Sequence, residues 1–156
     1  MTLSINIRPA IRTDSATLLP MIQQYWRFEA IEGFDAARVS SLLEQVLGDD
    51  ATLGRAWLVD VEGEPAGYLL AVFVFSLEFQ GITAEIDELF VVDRYRRLGL
   101  GGRLLDAAEA HFRDSGCTHV ALQIGRDNEA ARAFYQRRGF AGRNGYELVS
   151  KPLAAI

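Results

Sequence analysis

Glu88-Leu-Phe-Val-Val-Asp-Arg-Tyr-Arg-Arg-Leu-Gly-Leu-Gly-Gly-Arg103 is the stretch that decides the fold. Its first part is an apolar run, Leu89 to Val92, of the kind that forms a strand buried on both faces. Its last part opens a helix. From Leu100 to Asp114 the apolar residues Leu104, Leu105, Ala108 and Phe112 recur at helical spacing, and Ser115-Gly116 ends the period. Between strand and helix lies a charged, glycine-bearing loop, Asp93 to Gly102. The N-terminus of a helix carries unpaired N–H groups and a partial positive charge. Glycines let a ligand approach that backbone without meeting a Cβ. Strand, Arg96-Arg97-Leu98-Gly99-Leu100-Gly101-Gly102 and helix together describe an anion site, with arginines to match phosphate oxygens. The loop is not a P-loop, because no Gly-Lys-Ser/Thr follows. It is not a dinucleotide fingerprint, because Leu104 stands where a third glycine is needed.

Outward from this stretch, strands and helices alternate. Leu3 to Arg8 reads as a strand. Thr13 and Asp14 offer an N-cap for a helix to about Ala30, which Pro20 should kink or delay. Asp35 caps a second helix to about Leu47, with Val39, Leu42, Leu43, Val46 and Leu47 on one face. Ala56 to Val61 and Ala66 to Phe75 form a hairpin about the turn at Glu62 to Pro65, and Ala84 to Val92 is the next strand. After the glycine loop and its helix come a strand at His119 to Ile124, a helix at Asn128 to Arg138 and a last strand at Tyr146 to Val149. The early hairpin implies antiparallel pairing. The strand–helix–strand unit from 84 to 124 implies a parallel pair with a right-handed crossover. The fold class is therefore α/β, a mixed sheet with helices on both faces.

The chain has 156 residues, enough for one domain over 1–156, and its hydrophobic content of 49 % is ordinary for a globular protein. A net charge of −5 argues against nucleic acid and mildly favours cationic partners. Of the 16 basic residues, only Lys151 is lysine, which reads as composition bias. Cys117 has no partner for a disulfide, and His111 and His119 sit in no metal-binding pattern, so no metal is expected. The most apolar stretch, Gly67 to Leu77, is too short to span a bilayer, and the N-terminus carries no secretory pattern. A reducing cytoplasmic setting without membrane contact is the expectation.

A second constellation lies downstream, Asn128-Glu-Ala-Ala-Arg-Ala-Phe-Tyr-Gln-Arg-Arg-Gly-Phe140. The pair of segments resembles the GNAT superfamily of acetyltransferases. Arg96, Gly99 and Gly101 match its R/Q-x-x-G-x-G/A pattern. Asn128, Ala131, Phe134, Tyr135, Gly139 and Phe140 match its N-x-x-A-x-x-F/L-Y-x-x-x-G-F pattern. The resemblance implies a central mixed sheet of about six to seven strands with about four helices, and acetyl-CoA as co-substrate. It implies that backbone amides from about Arg97 to Arg103 hold the pyrophosphate. Leu89, Phe90 and Val91 would line the pantetheine arm, with the backbones of Leu89 and Val91 pairing like an added strand. Nearby amides would steady the developing oxyanion. Asn128, Ala131 and Phe134 would border the cofactor, and Tyr135 would protonate the leaving thiolate. A phenol suits that role: its pKa near ~10 lies close to the ~8.5 of a thiol, so transfer costs little. Many relatives are homodimers, so a dimer is implied too.

An alkylamine is protonated at neutral pH and needs a base. Glu85, Asp87 and Glu88 precede the apolar run, and simple alternation puts Glu85 and Asp87 on one face and Glu88 on the other. Glu88 is the candidate base, directly or through a water; a solvated strand-start carboxylate is the plain alternative. Tyr25-Trp26-Arg27-Phe28-Glu29 is rich in aromatics, and Tyr25, Phe28, Glu29 and Glu85 are candidates to line an amine site. This stretch, with Glu88 to Val91, is similar to the diamine/polyamine branch of the superfamily. A small cationic amine is the expected acceptor, with a peptide or protein amine, or a non-catalytic acyl-CoA-binding module, as alternatives.

Overall fold

The computed structural model describes residues 2–154. Two compact units divide the chain, Met1–Leu122 and Gln123–Ile156. The first holds a five-stranded sheet in the order β1-β2-β3-β4-β5: β1 (Ile5–Pro9), β2 (Gly54–Val61), β3 (Glu64–Ser76), β4 (Gly81–Val91) and β5 (Val120–Leu122). Neighbours are antiparallel except β4 and β5, which run parallel around the crossover helix α3 (Leu100–Asp114). The hairpin of β2 and β3 turns on Glu62 and Gly63, at φ 51° and 79°. Two positive φ values in a row match the twist of the flanking strands, as in a type I′ turn.

Helices α1 (Ser15–Phe28) and α2 (Ala36–Leu43) cover one face of this sheet. Leu18, Met21 and Ile22 of α1 and Leu43, Val46 and Leu47 from the second helical segment bury against Ala56, Leu58, Tyr68, Leu70 and Phe90. The other face takes α3. Trp57, next to Leu58 and so on the opposite side of β2, meets Phe112 edge-on at 5.7 Å, and Phe73 meets the same ring at 6.3 Å. Leu104, Leu105, Ala108 and Phe112 are all buried, the stripe read from their spacing. Truncating Phe112 to Ala would cost about 3–5 kcal/mol.

Asp14 does more than begin α1. Arg8 donates to both its oxygens at 2.7 and 2.8 Å, and the Ile11 N–H donates to Oδ2 at 2.7 Å. This fork ties β1 to the entry of α1 and holds the Asp14 carboxyl below the usual range, chiefly through the Arg8 hydrogen bond. Pro20 lies inside α1, which starts at Ser15 without delay. At its far end α1 closes in a Schellman turn: the Ile31 N–H donates to the Trp26 carbonyl at 2.8 Å, and the Ala30 N–H to that of Arg27 at 3.2 Å. Ala30 is held there at φ 55°, a conformation that costs a non-glycine residue about 1–2 kcal/mol.

Several expectations are corrected. The sheet has five strands among the described residues, not six or seven. Tyr146 to Val149 forms no strand, and Tyr146, Leu148 and Val149 are exposed. Alternation alone does not make a strand, because a strand needs a ladder partner. Helix α2 stops at Leu43 and tightens into a 3-10 turn over Glu44–Val46, leaving Leu42 in solvent. The apolar run of β4 is not buried on both faces: Phe90 is buried, whereas Leu89, Val91 and Val92 are half-buried.

The second unit contains α4 (Glu129–Arg137). Asn128 caps it, its Oδ1 accepting from the Ala131 N–H at 3.1 Å. A Schellman turn ends it: the Phe140 N–H donates to the Tyr135 carbonyl at 3.0 Å, and the Gly139 N–H to that of Gln136 at 3.1 Å. The rings of Tyr135 and Phe140 lie 5.5 Å apart, the apolar contact that accompanies such a turn.

Candidate active site

Glu88 sits where the register of β4 shifts. Leu70 faces Glu88 and Ala71 faces Ile86, so Asp87 is the extra residue of a β-bulge. The bulge reverses the expected alternation. Val72 and Leu70 point to the α1 face, and their partners Glu85 and Glu88 therefore share that face, with Ile86 on the other. Sequence alternation had separated Glu85 from Glu88. The extra residue brings them together.

The Glu88 carboxylate is half-buried and hydrogen-bonded at both oxygens. The Trp26 indole N–H donates to Oε2 at 2.9 Å, and the Tyr68 hydroxyl donates to Oε1 at 2.9 Å. It is not a solvated carboxylate. Burial pushes its pKa up, the two donors pull it down, Asp87 adds to the rise, and the net direction is upward. Tyr68 is fully buried, and burial together with the Glu88 charge raises its own pKa, so it remains a phenol. Asp87 reaches solvent at the bulge, but its carboxyl is partly enclosed by surrounding protein, and that desolvation followed by the Glu85 charge raises its pKa.

The aromatic stretch of α1 divides in two. Tyr25 and Trp26 pack against the core, Tyr25 with its ring 6.2 Å from Phe90 and Trp26 edge-on to Phe34 at 5.5 Å. Phe28 and Glu29 are exposed.

Beyond Ile86, β4 has no β5 residue opposite it among the described residues. The Val92 N–H donates to the Ala66 carbonyl of β3 at 2.9 Å. By alternation Phe90 also faces β3, and Leu89 and Val91 present their N–H and C=O groups to the opposite edge. Arg96 confirms the direction, since its Nε donates to the Val91 carbonyl at 3.1 Å. The same guanidinium pairs with Asp93 at 2.9 Å and lies over the rings of Phe28 and Phe90 at 5.5 and 6.0 Å. Arg96 thus braces the loop.

The loop then turns twice through left-handed backbone, at Arg97 (φ 70°) and at Gly99 (φ 72°), the N-cap of α3. Gly99 carries no side chain to cap the helix. The first intrahelical bond runs from the Arg103 N–H to the Gly99 carbonyl at 3.2 Å. The N–H groups of Leu100, Gly101 and Gly102 precede it and have no partner within the helix. Leu100 and Gly102 are buried, Gly101 is half-buried, and Arg97, Leu98, Gly99 and Arg103 are exposed. This arrangement fits a phosphate-bearing ligand: amides from a fifteen-residue helix, a glycine at the cap and flanking arginines.

Asn128, Ala131, Phe134 and Tyr135 all lie on or at the start of α4 in the second unit, where Phe134 and Tyr135 stack edge-to-face at 5.0 Å. Asn128 and Gly139 of the downstream motif serve the helix ends. Tyr68 was missed from sequence: a tyrosine in an apolar strand reads as core, and its partner stands 20 residues away. Cys117, half-buried, lines a cleft of about 150 Å³ with Phe112 and His119, and burial raises its pKa, so it rests as a neutral thiol. Among the described residues no group of three or more His, Cys, Asp or Glu side chains is placed for a metal ion, and no helix is long and apolar enough to cross a membrane.

The acetyltransferase (GNAT) family profile matches residues 19–140. The chain belongs to that family. It is an acyl-CoA-dependent N-acetyltransferase by that membership. It is 28 % identical over 149 residues to an uncharacterised N-acetyltransferase of Bacillus subtilis (strain 168), covering 91 % of this chain and 93 % of the relative. It is 29 % identical to an aminoglycoside N(6′)-acetyltransferase type 1 of Klebsiella aerogenes, covering 94 % and 96 %. Its fold is that of a solved aminoglycoside N-acetyltransferase in complex with CoA, with a TM-score of 0.81, 17 % identity and 97 % of each chain covered.

Proposed function

We propose that this acetyltransferase moves an acetyl group from acetyl-CoA to a primary amine of a small cationic molecule, by direct attack in a ternary complex. The observation that carries this reading is Glu88, a half-buried carboxylate with a raised pKa, sharing the α1 face of β4 with Glu85. A base with a raised pKa is suited to accept an ammonium proton near neutrality. A second carboxylate on the same face favours a cationic acceptor, as does the net charge of −5. The aminoglycoside acceptor in the name of the Klebsiella relative is an amine of this class.

Acetyl-CoA supplies the acyl group already activated as a thioester. The chain's own residues do the rest. The amides of Leu100, Gly101 and Gly102 hold the pyrophosphate, with Arg97 and Arg103 adding charge. The outward backbones of Leu89 and Val91 hold the pantetheine arm. Glu88 takes the proton of the amine, and Tyr135 returns one to the departing sulfur. Tyr25, Phe28 and Glu29 border the amine. The family match spans both units, which supports reading 1–156 as one functional domain. A homodimer is part of the same proposal.

The test is release of CoA thiol from acetyl-CoA over a panel of kanamycin, spermidine, thialysine and a lysine-rich peptide. Turnover on small amines supports the reading. Turnover on the peptide alone assigns a peptide acetyltransferase, and CoA binding with no turnover on any amine assigns a binding module.

A further inference from the structure

We propose that Trp26 and Tyr68 are positioning residues for the reaction, holding the Glu88 carboxylate in one orientation and favouring its charged form. The proposal rests on the reading of Glu88 as the base. Its ground is geometric. Two elements on two layers, α1 and β3, each send one donor to a different oxygen of the same carboxylate, both at 2.9 Å. A glutamate alone has three side-chain rotations. Bonds at both oxygens fix the plane of the carboxylate and leave one lone-pair site on each oxygen for an incoming proton.

Both donors are themselves fixed. The Tyr68 ring is fully buried between β-sheet and α1, 6.2 Å from the Phe90 ring, so its hydroxyl has little freedom to turn elsewhere. The Trp26 ring stands edge-on to Phe34, and an indole N–H can only donate. Neither donor titrates in the working range, because the buried phenol is pushed above its ordinary value. They therefore act as constant stabilisers of the anion. Against them work burial and the neighbouring Asp87. Of the other titratable and charged groups on this face, Glu85 lies on β4 one bulge away, and Tyr25 on α1 and the Arg96 guanidinium both lie against the ring of Phe90. Without the two donors, burial and Asp87 would leave more of Glu88 protonated at neutral pH, and a protonated carboxyl accepts nothing.

The experiment follows the Glu88 carboxyl directly, by ¹³C NMR of protein labelled at the glutamate side-chain carboxyl carbon, with the resonance assigned by its loss in Glu88→Gln. Wild type is compared with Tyr68→Phe, which keeps the buried ring, and with Trp26→Phe, which acts from the other layer. Each variant is expected to move the Glu88 midpoint upward by about one pH unit, since a hydrogen bond to a charged group is worth about that much. The acid limb of kcat/KM, measured with the panel amine that turns over fastest, is expected to move upward by the same amount. A merely structural role would lower activity without moving the limb. A midpoint unmoved in both variants overturns the proposal while leaving Glu88 as base. A midpoint that moves while the acid limb stays overturns the proposal together with the assignment of Glu88 as base. If no panel amine turns over, the NMR midpoints still decide whether the two residues set the state of Glu88.

Discussion

Replacing Glu88 by Gln separates two properties of one side chain. In the wild type the carboxylate accepts from Trp26 and from Tyr68 at 2.9 Å each. Glutamine has the same shape. Its carbonyl can take the indole N–H, and its amide can donate to the Tyr68 hydroxyl, which also accepts. Exchanging charge-assisted bonds for neutral ones costs about 1–2 kcal/mol. Against this, glutamine escapes the burial penalty that raises the Glu88 pKa. The sign follows from that rise. A folded pKa above the unfolded one means that the native state binds the proton more tightly. Wild-type stability from this group is therefore present in acid and is lost as pH climbs from the unfolded value near ~4.3 through the folded one. Glutamine does not titrate, so the melting temperature of the variant minus that of the wild type should grow across that window and level off above it. Near neutral pH the two should agree within about 1 kcal/mol, or roughly 2–4 °C. Turnover should fall about 10²–10⁴-fold, the usual share of a general base. Scanning calorimetry across pH and thiol release from acetyl-CoA measure the two effects. A variant several kcal/mol less stable would make Glu88 a structural brace, and turnover within tenfold of wild type would remove it as the base.

Three further predictions concern other parts of the chain. Asp14→Asn should cost about 1–2 kcal/mol at neutral pH, less than a fully buried pair because 39 % of the Arg8 side chain is exposed. Since the Asp14 pKa is lowered, this stability is present above ~4 and lost as pH falls through the folded value, so melts of variant and wild type should converge in acid; a constant gap would refute the ion pair as its source. Ala30→Gly should stabilise by about 0.5–1 kcal/mol, the left-handed strain relieved less the entropy gained by the unfolded chain, and a denaturant midpoint that falls in the variant would mean Ala30 is not strained. Tyr135→Phe should reduce turnover about 10²–10⁴-fold with CoA affinity by calorimetry nearly intact, and full turnover in that variant would end the role of Tyr135 as the acid.

What the sequence made legible was whatever local rules control. The helix over Leu100 to Asp114, its Ser115-Gly116 end, the Asp35 cap and the hairpin at Glu62-Gly63 all depend on neighbours within a few residues. The antiparallel hairpin and the parallel crossover followed from element order. The bulge at Asp87 did not follow, because it depends on how Leu70 and Ala71 of another strand seat against β4. One extra residue there changed which acids share a face. The bonds from Trp26 and Tyr68 to Glu88 span 62 and 20 residues, and no spacing rule reaches that far. Tyr146 to Val149 failed for the converse reason: its pattern was that of a strand, but pattern supplies no ladder partner.

The most direct test of the central claim is a thermal-shift titration with acetyl-CoA, with NAD as the control, on wild type and on Gly101→Val. Binding to the native state alone at a hundredfold excess over the dissociation constant adds about 2.7 kcal/mol, or roughly 5–11 °C for a chain of this size. The account predicts such a rise with acetyl-CoA, none with NAD, and a much smaller rise in Gly101→Val, whose side chain would crowd the amides at the start of α3. No shift with millimolar acetyl-CoA in the wild type would contradict the claim that this chain uses it. A full shift in the variant would contradict the placement of the pyrophosphate at those amides.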